Sequence, residues 1–414
     1  MKPITPVLCL LLCCFESMEG QTTKTVGGTN ANYTTLKLAF DAINAGSVKG
    51  AVTLQITGTT TETASAVLNA SGTGAANYTS VVIYPTATCS ISNAGNWATI
   101  DLNGADNVTI DGRIDQAGTT NSLSISGTNS GNGASDIRLI NSAENNIIRF
   151  CNLSGASASS SMGIVSFAAS NTGNGNDNNI VEYCNLTNSG IRPYNAILSS
   201  GTSGRDNSGN IIRNNNIYNT FQTAVSSNAI NINSASVGFT ISANSIYETT
   251  PFVAAGNGLS YNAIRISTAA EHTVSGNYIG GSAPLCTGSS WSFTAPCAVY
   301  FCGIYAYAGT GISTVISSNI ITNMSYTSTE DNPWDGIFLY AGNFDVTGNT
   351  IGATTGTGSI MLATPIAVAT TTISGGVVTA INLLNGGSGY STTPPDSNVH
   401  SIRKYNCCYC YRCC

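Results

Sequence analysis

Seven short stretches decide how this chain is read: IRFCNL (148–153), VEYCNL (181–186), IRNNNI (212–217), ISANSI (241–246), VSGNYI (274–279), ISSNII (316–321) and VTGNTI (346–351). Each runs from an aliphatic residue through two variable positions to Asn or Cys, then a variable position, then Ile or Leu. The fourth positions are Cys151, Cys184, Asn215, Asn244, Asn277, Asn319 and Asn349, spaced 33, 31, 29, 33, 42 and 30 residues apart. Self-similarity at about 30 residues marks a solenoid, in which each repeat is one turn of a stack and buries its apolar side only against its neighbours. A second column, Ile164, Ile197, Ile230, Ile264, Ile304, Ile337 and Ile366, advances by 33, 33, 34, 40, 33 and 29 residues. Both columns lengthen in the coil that carries residues 280–300, so one insertion accounts for both.

Around these sites apolar and polar residues alternate, as in ININ, IRIS and TISA, which argues strands and not helices. Three short strands and three turns fit about 30 residues at roughly 3.3 Å per residue. The expected fold is all-β, a right-handed parallel β-helix of about nine coils over 101–370 with both columns pointing inward. Asn suits its column on two counts: it tolerates the left-handed turn conformation, and its amide can bond to the amides above and below. Cys151 and Cys184 read as small buried residues standing in for Asn.

Only 8% of the 414 residues are charged, against about a quarter in an ordinary domain. Gly, Ser, Thr and Asn take their place, as a turn-rich solenoid requires. The net charge of −6 and the absence of any Lys/Arg cluster argue against nucleic acid. Beyond the N-terminus no apolar run approaches the roughly 20 residues of a membrane span. Residues 1–20 read as a secretory signal, with Lys2 followed by PVLCLLLCCF (6–15), so a secreted or cell-surface location is expected.

Residues 21–100 form the N-terminal cap and first coils. TVGGTNANYTTLKLAFDAINAG (25–46) holds the one convincing helix, with Thr34 or Thr35 to cap its start and Gly46 its end. Strands are expected at 51–57, 80–86, 107–112, 123–127 and 137–141. Residues 371–395 form a Gly-rich hairpin or linker. Cys286 and Cys297 flank the insertion, and a bridge between them is one reading. The tail CCYCYRCC (407–414) has no packing logic. Shifting its codons by one base yields a Val/Ala and Ile/Thr strand pattern, so 396–414 is expected to be a disordered frameshift product of a longer native protein. A metal-binding Cys tail is the alternative.

The N-terminal TVGGTNANYTTLKLAFDAINAG, LNGADNVTIDGR (102–113), SGNYIGGS (275–282) and GNTIGATTGTG (348–358) together resemble large secreted β-helix repeat proteins of Bacteroidetes. The resemblance covers about 22–360. It implies an adhesin-like surface protein of the kind exported by type IX secretion, although no sorting domain is present in the sequence.

Parallel β-helices also carry polysaccharide lyases and hydrolases, so enzymatic activity must be argued from residues. The acidic pair and Gly-His-Gly of polygalacturonase-like enzymes are absent, and His272 has no recognisable partner for a Ser–His–Asp arrangement. Asp111, Arg113 and Asp115, in DLNGADNVTIDGRID, are the weak catalytic candidates: a Ca²⁺-assisted lyase needs carboxylates and an Arg base, whereas a polar turn needs the same residues for its bend. Glu330, Asp331 and Asp335 in STEDNPWDG (328–336) offer oxygen ligands for Ca²⁺, which is the one cofactor in view, none being required. Trp334 beside them, with Tyr218, Tyr247 and Tyr278, is a candidate sugar-binding set. The expectation is a monomeric, non-catalytic protein that binds carbohydrate or cell-surface proteins along the solenoid. The alternative is a lyase or glycoside hydrolase acting on acidic polysaccharide.

Overall fold

A computed structural model describes residues 21–328, 333–353 and 360–363, together with the backbone of strands Val368–Ser374, Val377–Asn385 and Ile402–Lys404. Residues 1–20, where a signal is expected, and all of 396–414 except Ile402–Lys404 lie outside the described residues; those three pair in parallel with Trp334–Ala341, a partner strand the sequence does not suggest. The chain is a parallel β-solenoid of about ten turns with about 33 residues each. Its coils build parallel sheets of 11, 10 and 10 strands. The helix Leu36–Asn44 lies between the first two strands of the 11-stranded sheet, Thr22–Val26 and Gly50–Ile56, its first turn capped by the Thr35 hydroxyl, which accepts from Leu38 N–H at 3.3 Å. Leu36, Ala39, Phe40 and Ile43 are buried, so the helix closes the core at the N-terminal end.

Each six-residue motif turns one corner of the coil. Its first residue points inward from the first sheet, where Ile148, Val181, Ile212, Ile241, Val274, Ile316 and Val346 stand in register. Its last residue points inward from the second sheet, as Leu153, Leu186, Ile217, Ile246, Ile279, Ile321 and Ile351. The third sheet supplies the second column of the sequence, with Ile197, Ile230, Ile264, Ile304 and Ile337 stacked and fully buried. Ile164 corrects that column: Val165, not Ile164, lies under Ile197. Ile366 lies outside the described residues.

Between the two inward apolar rows runs the Asn ladder. The Asn215 side-chain amide donates to Asn244 Oδ1 at 3.0 Å, Asn244 to Asn277 at 2.9 Å, Asn277 to Asn319 at 2.9 Å and Asn319 to Asn349 at 2.8 Å. Each Oδ1 also accepts a backbone N–H from the coil before, as Asn244 does from Asn215 at 3.1 Å. Cys151 and Cys184 occupy the same column, buried, and the Cys184 backbone N–H donates to Asn215 Oδ1 at 2.9 Å. The left-handed residue, however, is the one before the ladder: Phe150, Tyr183, Asn214, Ala243, Gly276, Ser318 and Gly348 all have φ between +53° and +64°. Asn is therefore selected for its amide and not for its backbone. The amide satisfies buried N–H and C=O groups at the corner that the strand ladders leave open.

A second ladder, Asn146, Asn179 and Asn210, precedes the first sheet, each amide donating to the next Oδ1 at 2.9 and 3.0 Å. It explains His272. The imidazole stands in that column and its Nδ1 accepts from Phe239 N–H at 3.2 Å, as an Asn oxygen would.

The insertion at 280–300 lays down an extra strand, Trp291–Ala295, in a four-stranded sheet with Phe252–Val253, Met324–Ser328 and Ile360–Ala363. Trp291 and Phe293 are fully buried, and Trp291 stacks on Phe221 at 5.4 Å. No bridge joins Cys286 and Cys297, which corrects that reading: Cys286 turns to the Ile320 carbonyl and Cys297 to that of Gly256. Val368–Ser374 and Val377–Asn385 form an antiparallel hairpin, beginning a few residues before the Gly-rich segment assigned from sequence.

Candidate functional site

The left-handed corner position admits side chains only reluctantly, and a bulky aromatic there is uncommon. Phe150 and Tyr183 nevertheless occupy it in consecutive coils, both at φ +53°. Strand pairing sets adjacent coils about 4.8 Å apart. The two rings therefore stack, 4.8 Å between centroids and 5° from parallel. The Arg113 guanidinium lies 4.5 Å from the Phe150 centroid, a cation–π contact. Tyr183 is 44% exposed, which leaves its ring available to a ligand.

Beside this stack the fifth motif position faces outward from the second sheet. Asn152, Asn185 and Asn216 are in register there, Asn185 donating to Asn152 Oδ1 at 2.9 Å and Asn216 to Asn185 Oδ1 at 2.9 Å. Both amides keep a second N–H and spare acceptor capacity toward solvent. The segment before Leu123 folds along the row: Asn121 donates to the carbonyls of Cys151 and Tyr183 at 3.2 and 3.1 Å, and its own carbonyl accepts from Asn152 at 3.0 Å. Thr119, Thr120, Asn121, Phe150, Asn152, Tyr183, Asn185, Asn214 and Asn216 enclose a groove of about 700 Å³. That is the size of a small-ligand site. No charged side chain lines it.

The charges nearby are already neutralised. Asp111, Arg149, Glu182 and Arg213 form one outward row on the first sheet. Asp111 is fully buried and accepts from Arg113 at 2.7 and 2.9 Å and from Arg149 at 2.9 Å, while Glu182 accepts from Arg213 at 2.7 and 2.8 Å. Burial on its own raises the Asp111 carboxyl, but the Arg113 hydrogen bonds and the Arg149 charge outweigh it and hold the group below the usual carboxylate range. The same hydrogen bond raises the Arg113 guanidinium, the wrong direction for a base. Asp115 lies apart on the exposed turn Ile114–Gln116. Of the three catalytic candidates, Asp111 and Arg113 thus form an ion pair and Asp115 stands apart from them. A further acidic column, Asp106, Glu144 and Asp177, spends two of its carboxylates on turns: Asp106 accepts from Glu144 N–H at 2.7 Å and Asp177 from Ser208 N–H at 2.8 Å.

The other sequence candidates fall elsewhere. Tyr218 stacks on Tyr247 at 5.2 Å, and Tyr247 is buried. Tyr278 leaves the stripe, since it is in register with Ser245 and not with Tyr247. Trp334 offers no open face: it is 7% exposed and stacks on Phe301. Glu330 and Asp331 lie outside the described residues. Asp335 is buried and accepts from the Tyr300 hydroxyl at 3.1 Å. Among the described residues no His, Cys, Asp and Glu cluster could hold a metal ion. No helix there is long and apolar enough to cross a membrane. The groove residues were missed because they occupy positions three and five of the motif, which vary along the stack. The available signal was local: aromatics in two consecutive third positions, FCN and YCN, and Asn in three consecutive fifth positions.

No family model and no curated protein matches the chain. Among solved structures it is similar to PfbA, a surface adhesin of Streptococcus pneumoniae, over 76% of this chain and 84% of that one, at 11% identity and a TM-score of 0.29. A likeness this distant carries no argument about function.

Proposed function

We propose that the chain is a non-catalytic β-solenoid that binds a neutral glycan in the groove between Tyr183 and the Asn152–Asn185–Asn216 row. The observation that carries this is the pairing of an exposed aromatic stack with an in-register amide row in a groove without charge. The C–H face of a pyranose packs on an aromatic ring, and its hydroxyls need paired donors and acceptors, which an amide supplies together. The amides repeat every 4.8 Å or so along the axis, close to the advance of one sugar in an extended chain. An oligosaccharide lying along the solenoid therefore meets the same amide at each step. The non-catalytic part rests on the carboxylates: Asp101, Asp111, Glu182 and Glu248 are each held by an arginine. A secreted or cell-surface placement, of the kind seen in type IX-exported Bacteroidetes proteins, is supported by the sequence resemblance over residues 22–360.

Screening the full chain against immobilised neutral and acidic glycans tests the reading. Binding to neutral glycans that Tyr183→Ala weakens about tenfold, the worth of one lost aromatic contact of roughly 1.4 kcal/mol, supports it. No neutral binding, or binding that Tyr183→Ala leaves intact, overturns it. Release of unsaturated products from a polysaccharide would replace it with the lyase reading.

A further inference from the structure

On the third sheet one outward row crosses the later coils: Asn231, Arg265, Tyr305 and Phe338 are in register from strand to strand. The Tyr305 and Phe338 rings stack at 5.5 Å and 18°. Tyr340, 46% exposed, lies 6.3 Å from Tyr305, and Tyr307 meets Tyr340 at 6.0 Å. Arg265 stands at the head of this aromatic strip, its guanidinium 5.5 Å from the Tyr305 centroid. On the outward strand faces Arg138, Arg149 and Arg213 are each paired to a carboxylate, whereas Arg265 has no carboxylate partner among the described residues. Its one side-chain hydrogen bond among the described residues is to Asn231 Oδ1 at 3.3 Å, a neutral acceptor that uses few of its five donors.

We infer that this strip is a second carbohydrate site, separate from the groove and selective for an acidic sugar. A guanidinium set over an aromatic ring, without a carboxylate of its own among the described residues, is placed to take one from a ligand as a forked pair. Beyond it Tyr340 is exposed and Tyr305 and Tyr307 are half-buried, ring area that suits a sugar lying flat next to its carboxylate. The whole chain carries −6, so an acidic ligand is admitted only where such a local cation stands, and a long polyanion such as nucleic acid is disfavoured. The assignment holds whether or not the groove at Tyr183 binds neutral glycans.

The test is calorimetric titration of the full chain with trigalacturonate and with its neutral counterpart, a trisaccharide of galactose. Trigalacturonate is expected to bind, more weakly at high salt, with Arg265→Gln lowering its affinity about tenfold or more and leaving any neutral binding unchanged. Tyr340→Ala, at an exposed position, is a second variant expected to weaken the same ligand, and unchanged melting temperatures confirm that both variants fold. Equal affinity for the neutral trisaccharide, an Arg265→Gln variant that binds as wild type, or acid binding lost in Tyr183→Ala but kept in Arg265→Gln would each overturn the assignment. Displacement of trigalacturonate by a glutamate-rich peptide at equal concentration would overturn it in favour of an acidic protein partner.

Discussion

Asn244 is the residue at which the ladder can be weighed. Its Oδ1 accepts from Asn215 N–H at 3.1 Å and from the Asn215 amide at 3.0 Å. Its own amide donates to the Ile212 carbonyl at 2.9 Å and to Asn277 Oδ1 at 2.9 Å. Asn244→Ala removes all of these and leaves an orphaned backbone N–H and C=O in a position with no exposure. At about 1 kcal/mol net per hydrogen bond the loss is about 4 kcal/mol, a large part of what holds a domain folded. Asn244→Cys is expected to cost less, about 2 kcal/mol, because a thiol in this column still reaches a carbonyl, as Cys184 reaches Glu182 at 3.3 Å. Asn244→Asp is expected to be worst of the three, since an acceptor then faces the Ile212 carbonyl and Asn277 Oδ1. Urea unfolding followed by circular dichroism measures the series. Alanine within about 1 kcal/mol of wild type, or cysteine no better than alanine, would show that the ladder is ornament and that the apolar columns alone hold the stack.

Ile264→Asp places an unpaired carboxylate among fully buried stacked isoleucines and is expected to cost several kcal/mol or to prevent folding, read from expression and melting. His272 is buried, and burial lowers its pKa from 6.5 to about 4, so the unfolded chain binds the proton more tightly. Stability is then full above pH 6.5 and is lost as pH falls through about 4, by up to about 3 kcal/mol. His272→Asn restores the ladder residue found at Asn210 and is expected to remove that part of the acid dependence, measured as the difference between the two unfolding profiles from pH 4 to 7. A double variant, Asn152→Ala with Asn185→Ala, is expected to weaken neutral glycan binding while leaving the melting temperature within a few degrees, because both amides are half-buried and face outward.

The fold was legible because its determinants repeat. Asn215 to Asn349 and Ile197 to Ile337 face the same surroundings in every coil, so selection for one amide or one branched side chain is printed at each period. Ile164 and Val165 show the limit of such reading, since a neighbouring aliphatic residue satisfies the pattern one position out of register. The left-handed turn was misplaced by one residue because Asn tolerates that conformation, so its column invites a backbone reading; the backbone role falls on the preceding residue, as at Asn214, and the amide role on Asn215. The groove was not legible, because a binding surface breaks the repeat. Phe150 and Tyr183 matter because they differ from Ala243, Gly276 and Ser318 in the same column, and a search for sameness passes over them. The tyrosine stripe failed on register, as Tyr278 stands beside Ser245 and the partner ring is absent.

A crystal structure of the full chain with a neutral oligosaccharide bound is the most direct test of the account. The expected result is an intact sugar chain parallel to the solenoid axis, one ring against Tyr183 and hydroxyls bonded to Asn152, Asn185 and Asn216. Density on another face, an empty groove at saturating ligand, or a cleaved sugar with a new chain end beside Asp111 would contradict it.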